Sequence, residues 1–359
     1  MMMRTPAVLL LAGLLPAFVV TESSDAAARA HELLAKQVAL QAPGFAAVVA
    51  VDGRIVWSEY SGFADLQARN PVTVTSRFRI GSISKSLTAA CLMRLVERGV
   101  IDLDAPVQKY VPDFPVKAEG AITTRLLAGH LAGIRHHTKE EPFLNRPFPD
   151  VAAGLKLFAN DPLVAPPGAK FHYSGNGWTL VSAVIESAAN RDFLDCMQRE
   201  VIAPLGLTHT RPDRAGAEDS ERTAFYQPGA NGFVAAPTVD FSYLWAGGGY
   251  LSTAEDLVKF ASALLRPGYL GEESRRLMFT SQKTATGETT GYGLGWFVTQ
   301  DNQGRPIWYH DGGSHGGTAV LLIRPETHTV AAILCNLSGA DLNGHAMKLA
   351  DLFAPPATK

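Results

Sequence analysis

The sequence predicts an α/β protein, an α+β sandwich, in which one antiparallel sheet is assembled from both chain termini and flanked by helices, with an inserted all-helical lobe. Two observations support this. Strand patterns occur at 45–60 and again at 291–336, and the segment between them is rich in Pro, Gly and His with helical pieces and no clear strand alternation. One sheet built from both ends accounts for this arrangement economically. A cleft between the sheet part and the lobe is then the expected ligand site.

The elements follow in chain order. Residues 25–40 have helical periodicity, and 45–60 read as two strands around Asp52-Gly53, a strong hairpin signal. A helix is expected to start near Ser82, and helical pieces occur at 151–159, 177–189 and 191–200. A glycine-rich turn follows Trp245, and a further helix is capped by Ser252 or Thr253. The remaining elements are strands at 291–298, 307–310, 318–325 and 328–336 and a helix at 343–354.

These elements define the expected domain organisation. One domain spans about residues 27–355, with its sheet part at 27–100 and 245–355 and the helical lobe at 101–244. Residues 1–20 are set apart, because MMMR is a short basic start and PAVLLLAGLLPAFVV an apolar run too short for an ordinary membrane span. We expect a signal peptide and an exported protein, periplasmic or secreted. An uncleaved anchor is the alternative, and would be the protein's membrane contact.

Composition excludes several classes of function. The 359 residues carry a formal net charge of −2 with no basic run, so no nucleic-acid surface is expected. The three cysteines are too few and too scattered for a disulfide framework or a zinc site, and Cys91, inside an apolar helical pattern, fits a buried thiol. His130, His136 and His137 lack the spacing and the accompanying carboxylate of a metal motif. We therefore expect no metal and no cofactor.

The helix at 82–99 begins with an unusual cation. Ser82 stands at a helix N-cap position, and Lys85 occupies the first turn, where the helix dipole disfavours a cation by about 0.3–1 kcal/mol. Residues i and i+3 share a helix face, so the amine can reach the hydroxyl. The helix field and partial burial lower a lysine pKa and favour the neutral amine that a general base needs. This pattern predicts a nucleophile at Ser82 with Lys85 as its base; an ordinary capping serine is the alternative.

Two further segments supply partners for this pair. Tyr173 lies in a loop just before a helix and is a candidate proton shuttle whose pKa the nearby Lys85 would lower; a core aromatic is the alternative. His310 ends a strand, and the glycines that follow allow close backbone approach to a ligand. The N–H groups of Ser82 and Gly313 are predicted to form an oxyanion hole. A simple glycine-rich hairpin is the alternative for this segment.

The motifs Ser82-Ile-Ser-Lys85, Tyr173-Ser and His310-Asp-Gly-Gly, in this order, resemble the serine β-lactamase and penicillin-binding protein superfamily. The resemblance runs from about residue 27 to 355 and is greatest to the LACTB-like branch, which is related to class C β-lactamases and D-Ala-D-Ala carboxypeptidases. It implies a β-lactamase/transpeptidase-like fold. It also implies an acylated nucleophile, a base or proton relay, a tyrosine that exchanges protons with the leaving group, and substrate-binding residues on the last motif; these are Ser82, Lys85, Tyr173, and His310 with Gly312 and Gly313. His310 takes the place of the lysine of a Lys-Thr-Gly element.

Several positions depart from this family pattern. Gly175 stands where class C enzymes favour the Asn of Tyr-x-Asn, and Asn176 comes one residue late. Asp311 replaces a Thr or Ser that usually contacts a substrate carboxylate, which an acid would repel. The run Glu141-Pro-Phe-Leu-Asn145 is similar to a deacylation motif of class A enzymes but precedes the tyrosine element, the wrong order.

Together these observations predict an exported serine hydrolase that cleaves an amide or ester bond, plausibly in a peptide, through an acyl-enzyme at Ser82. The partner is a small-molecule or peptide substrate, and the oligomeric state is left open. The alternatives are a penicillin-recognising sensor with little turnover, an esterase or weak β-lactamase, and an inactive scaffold, because fold and motif do not choose the acyl group.

Overall fold

The computed structural model describes residues 23–37 and 41–355. The expected signal peptide at 1–20 lies outside these residues. None of the helices in the described part is both long and apolar enough to span a bilayer.

The centre of the fold is one antiparallel sheet of seven strands in the order β3-β2-β1-β12-β11-β10-β9. It joins strands from both ends of the chain, as the sequence predicts. Pairs such as Ala47↔Ile333 connect β1 to β12. The strands are β1 Gly44–Val51, β2 Arg54–Asp65, β3 Asn70–Pro71, β9 Phe297–Gln300, β10 Pro306–Ser314, β11 Gly317–Arg324 and β12 Thr329–Cys335.

The hairpin predicted at Asp52-Gly53 is present. Asp52 and Gly53 have φ values of 49° and 68°, which suits the two central residues of a type I′ turn between right-handed twisted strands. The expected strand at 291–298 is shorter than predicted and begins only at Phe297. Gly291 and Gly295 adopt φ values of 71° and 78°, a conformation that interrupts a strand.

Helices cover both faces of this sheet, and β1 alternates its side chains between two apolar layers. One layer packs against the first and last helices, and the other against the helices that carry the site. The helices are α1 Ser23–Gln37, α2 Ile83–Glu97, α3 Thr124–Ala128, α4 Val151–Leu155, α5 Gly175–Ala189, α6 Phe193–Met197, α7 Ala203–Leu205, α8 Trp245–Gly248, α9 Ala254–Leu265, α10 Glu272–Met278 and α11 Asn343–Phe353. Thr253 caps α9, with its side chain accepting from the Asp256 N–H.

The segment 101–244 is mainly helix and loop, but it is not purely helical. A hairpin of β6 (Tyr226–Gly229) and β7 (Gly232–Ala235) lies within it, in the Gly- and Pro-containing stretch where a turn is favoured. A second small sheet joins β4 (Phe78–Arg79), β8 (Tyr250–Ser252) and β5 (Arg211–Pro212). It ties the lobe to the strand that leads into α2.

Candidate active site

The start of α2 lies against the end of β10 through an unusually close backbone contact. Gly81, with φ of 48°, turns the chain from β4 into α2. A Cβ built on it would lie 2.6 Å from Gly313 O, and one built on Gly312 would lie 1.9 Å from Ile80 O. Glycine is therefore required on both sides, since no side chain fits. Ser82 and Gly313, which lie next to this contact, both line the same cavity.

Lys85 is buried in this first helical turn, with 2% of its surface exposed. Its Nζ lies 3.0 Å from Ser82 Oγ and donates to the carbonyl oxygen of Gly247 at 2.6 Å. Burial lowers the pKa of Lys85 to about 7, against a smaller opposing influence of Asp311. The described residues offer it no ion pair. When the amine is neutral, Gly247 accepts one N–H and the lone pair is free to face Ser82.

Tyr173 stands beside this pair, with Lys85 Nζ 5.0 Å from the centroid of its ring. Burial raises the pKa of Tyr173 above its ordinary value, and a hydrogen bond with Ser82 opposes this only in part. The expectation that the pKa of Tyr173 lies below its ordinary value is therefore wrong, because desolvation by burial, to which the charge of Asp311 adds, sets the direction. Tyr173 is a neutral phenol, which can donate a proton but is not itself the base.

Two histidines fix the loop that carries Tyr173. His130, buried and with φ of 59°, accepts from the Ser174 N–H through Nδ1 at 3.0 Å, and its ring centroid lies 4.2 Å from that of Tyr173. His136 Nδ1 accepts from the Gly175 N–H at 2.9 Å. Both nitrogens accept, so both rings are neutral. In the described residues no group of three or more His, Cys, Asp or Glu is arranged for a metal ion.

His310 is not placed as a substrate-binding residue. It is fully buried, and its Nδ1 donates to the Asp311 carbonyl at 2.6 Å. Its Nε2 therefore accepts from the Tyr292 hydroxyl at 2.9 Å. Burial, assisted by Lys85, lowers the pKa of His310 to about 3. Neither His310 nor Gly312 lines the cavity, so this correction leaves Gly313 as the member of the motif that reaches it. The partner of this imidazole is therefore Tyr292, in the loop before β9.

The positions that depart from the family pattern, Asp311, Asn176 and Glu141, also do not line the cavity. Asp311 is exposed on β10, and its charge acts on the pKa values of Lys85 and Tyr173 from outside. Asn176 is buried in the first turn of α5. Glu141 pairs with Arg135 at 2.7 Å, which explains its failure to serve as a free carboxylate in the cleft.

The cavity at this site has a volume of about 420 Å³. Sequence reasoning identified Ser82, Lys85, Tyr173 and Gly313 in its wall. It did not identify Gly247, whose carbonyl accepts from Lys85, or the rest of the wall. The remaining glycine and apolar residues are Gly248, Pro142, Phe241, Tyr243 and Leu244, and the polar ones are His136, His137, Ser314, His315 and Ser338. The glycine triplet at 247–249 was the one available signal, since it pointed to close backbone approach.

Comparisons with known proteins agree with this fold. The beta-lactamase family matches residues 30–353. The human mitochondrial serine beta-lactamase-like protein LACTB is 33% identical, over 86% of this chain and 76% of its own. The octameric penicillin-binding protein homologue from Pyrococcus abyssi is 27% identical, with a TM-score of 0.78 over 93% of this chain and 78% of its own. A D-stereospecific amidohydrolase from Streptomyces, 24% identical, shares the fold with a TM-score of 0.75, over 93% of this chain and 99% of its own.

Proposed function

The chain belongs to the beta-lactamase family of serine hydrolases. We propose that it is an exported hydrolase that cleaves amide or ester bonds, with peptides as the favoured substrates, through an acyl-enzyme at Ser82. One observation carries this proposal. The Lys85 amine lies 3.0 Å from Ser82 Oγ, buried and without a carboxylate partner in the described residues. A buried lysine with a purely structural role is normally paired with a carboxylate, whereas a general base needs the lowered pKa that burial without one gives.

Acylation follows from the resting geometry. Lys85 accepts the hydroxyl proton as Ser82 Oγ attacks the substrate carbonyl, and the new C–O bond places negative charge on the carbonyl oxygen. In this proposal the N–H groups of Ser82 and Gly313 donate hydrogen bonds to that oxygen. Tyr173, neutral and beside Ser82, donates a proton to the departing amine or alcohol and recovers one from Lys85. Water then attacks the ester carbonyl as the neutral Lys85 accepts its proton. The bond between Ser82 Oγ and the acyl carbon breaks, the proton passes to Oγ, and the acid leaves.

The lining of the cavity favours a substrate without a carboxylate beside the scissile bond. Among the described residues that line it there is no Arg, Asp or Glu, and Lys85 is its one amine. Arg79, which lies behind the wall, is already paired with Asp213 at 2.7 Å. Asp311 adds a negative charge nearby. Penicillins, and peptides whose C-terminal residue is the leaving group, carry a carboxylate close to the scissile bond. The cavity therefore favours esters and internal amides over them.

Export rests on the sequence of residues 1–20 alone. The short basic start and the apolar run that follows it are typical of a signal peptide. N-terminal sequencing of the mature chain after expression in a secreting host tests this part of the proposal. A first residue between about 21 and 28 supports it, and an intact N-terminus contradicts cleavage.

A substrate panel tests the activity. The chain and Ser82→Ala are compared on a fluorophosphonate probe, p-nitrophenyl esters, p-nitroanilide peptides and nitrocefin. We expect labelling at Ser82, turnover of esters or anilides, and poor turnover of nitrocefin. Equal labelling and hydrolysis by Ser82→Ala would disprove the nucleophile. Labelling without turnover of any substrate would favour the acylating sensor, and fast nitrocefin hydrolysis would contradict the substrate class.

A further inference from the structure

His137 fills the space that a side chain at position 175 would occupy. A Cβ built on Gly175 would lie 2.1 Å from His137 Nε2, so no larger residue fits there while the imidazole is in place. The ring lies edge-on to Tyr243, with centroids 5.9 Å apart, and lines the same cavity as Ser82. The wall next to Tyr173 is thus built by a histidine from a different segment of the chain.

The Glu141 carboxylate faces this imidazole at a distance longer than a hydrogen bond. Its Oε2 lies 3.5 Å from His137 Nδ1, and both side chains are about nine-tenths buried. Arg135 binds Glu141 through two nitrogens, and together with His137 it lowers the pKa of the carboxyl to about 2. An ionised carboxylate that faces Nδ1 favours the proton on that nitrogen. His137 Nε2 then carries the lone pair and is a hydrogen-bond acceptor.

This nitrogen is available for a ligand. Lys85 is engaged with Ser82 and Gly247, and the Tyr243 hydroxyl donates to the Glu141 carbonyl at 3.0 Å. His136 Nδ1 already accepts from the Gly175 N–H. His137 Nε2 has no hydrogen-bond partner among the described residues, and it lies against Gly175, two residues from Tyr173. Because His137 lines the cavity, a donor on a bound ligand can pair with this nitrogen.

We propose that His137 is a specificity-determining residue that accepts a hydrogen bond from an amide N–H in the acyl part of the substrate, with Glu141 as its positioning residue. This inference rests on the proposed function and refines its substrate class. It selects acyl groups with a peptide-like amide next to the reacting carbonyl over plain alkyl or arylalkyl acyl groups. A site built to pair with such a group discriminates against an analogue that lacks it.

Two matched esters test this selection. The p-nitrophenyl esters of N-acetyl-phenylalanine, in either enantiomer, and of 3-phenylpropanoic acid differ by the acetamido group alone. The measured quantity is the ratio of their kcat/KM values. We expect the ratio to fall about tenfold in His137→Ala, as the loss of one hydrogen bond implies, and mainly through KM. His137→Phe keeps the bulk against Gly175 without the acceptor, and the same fall is expected there.

The contact with Gly175 supplies a second, reciprocal test. Gly175→Asn in the native background places a side chain on the imidazole, and we expect loss of turnover of both esters. In the double variant His137→Ala/Gly175→Asn the new amide enters the vacated space and offers an acceptor. The ratio is expected to recover at least about threefold from that of His137→Ala. Thermal melting of each variant shows whether it remains folded.

The outcomes separate this inference from the proposed function. Turnover of the 3-phenylpropanoate ester that Ser82→Ala abolishes supports the serine hydrolase, whatever the ratio. If the ratio of the two kcat/KM values is unchanged in both His137→Ala and His137→Phe, because activity on both esters is kept or falls equally, the role of His137 is overturned. The proposed serine hydrolase is not affected by that result. Full turnover by Gly175→Asn would overturn it as well. Absence of any Ser82-dependent turnover would overturn both.

Discussion

Two buried basic side chains, Arg79 and Lys85, lie on either side of the nucleophile in sequence, and their surroundings differ in one respect: Arg79 has a carboxylate partner and Lys85 has none among the described residues. Arg79 ends β4 just before the turn into α2, and its Nε lies 2.7 Å from Asp213 Oδ2. A second nitrogen donates to the His315 carbonyl at 2.6 Å, and Phe225 lies under the guanidinium at 3.8 Å. Lys85 is buried to a similar degree, but its neighbours are a hydroxyl and a carbonyl oxygen.

The difference teaches how burial is used in this molecule. Arg79 keeps its charge, because a guanidinium does not deprotonate in proteins and Asp213 offsets its desolvation. Lys85 has no such partner, so burial lowers its pKa to about 7. One cation therefore holds β4 against the lobe, and the other is a base near neutral pH. Substitutions of Arg79 and Lys85 separate these two roles.

The largest effect is expected when the base is made a permanent cation. Lys85→Arg should lower the acylation rate of Ser82 by about 10⁴-fold, because a guanidinium cannot accept the hydroxyl proton and general base catalysis contributes up to this factor. The measurement is the fluorophosphonate labelling rate, with circular dichroism as the control for folding. Labelling within a few-fold of the unchanged chain would mean that Lys85 is a structural residue.

The second effect concerns stability. Arg79→Met should cost about 3–5 kcal/mol of unfolding free energy, because it removes the closer partner of the buried Asp213 and leaves only Arg222, at 3.6 Å. Lys85→Met is the matched control and should stabilise, since it removes a desolvated amine. The pKa of Lys85 in the folded chain, about 7, lies below its ordinary value of 10.5.

That pKa difference fixes the sign of the pH dependence. Between these two pH values the unfolded chain binds more protons, so the unchanged protein gains stability as pH rises. The advantage of Lys85→Met in urea melts should thus be greatest at or below pH 7 and fade toward pH 10.5. Equal losses in the Arg79 and Lys85 variants would contradict the distinction between the two cations.

A smaller effect is expected at Tyr173. Tyr173→Phe keeps the ring contacts with His130 and removes the proton donor, so kcat/KM should fall about 10²-fold, near the lower end of general acid catalysis. The loss should be greater for p-nitroanilides than for p-nitrophenyl esters, because an amine leaving group needs the proton more. A loss that is equal for both leaving groups would indicate a positional role instead.

Local features of the site were predictable from the sequence, and features that depend on distant segments were not. Ser82 and Lys85 lie three residues apart in one helix, so their contact and the direction of the lysine pKa follow from helix geometry and burial. The pKa of Tyr173 was predicted in the wrong direction, because burial by several segments decides it. His310 was misplaced for a similar reason, since Tyr292 accommodates it from a loop that the pattern presented as a strand.

The fold shows the same division. The hairpin at Asp52-Gly53 and the sheet built from both ends follow from local alternation and turn chemistry. The wall formed by Phe241 and Tyr243, and the contact of His137 with Gly175, join segments far apart in the chain. No spacing rule within one segment could indicate them.

The central claim is that Ser82 is activated by a neutral lysine amine. Its most direct test is the rate at which a fluorophosphonate modifies Ser82 as a function of pH, followed by intact mass with Ser82→Ala as the blank. The account predicts a rate that rises tenfold per pH unit below about pH 7 and then reaches a plateau. A rate independent of pH from 5 to 9, or one that rises only near the ordinary lysine pKa of 10.5, would contradict it.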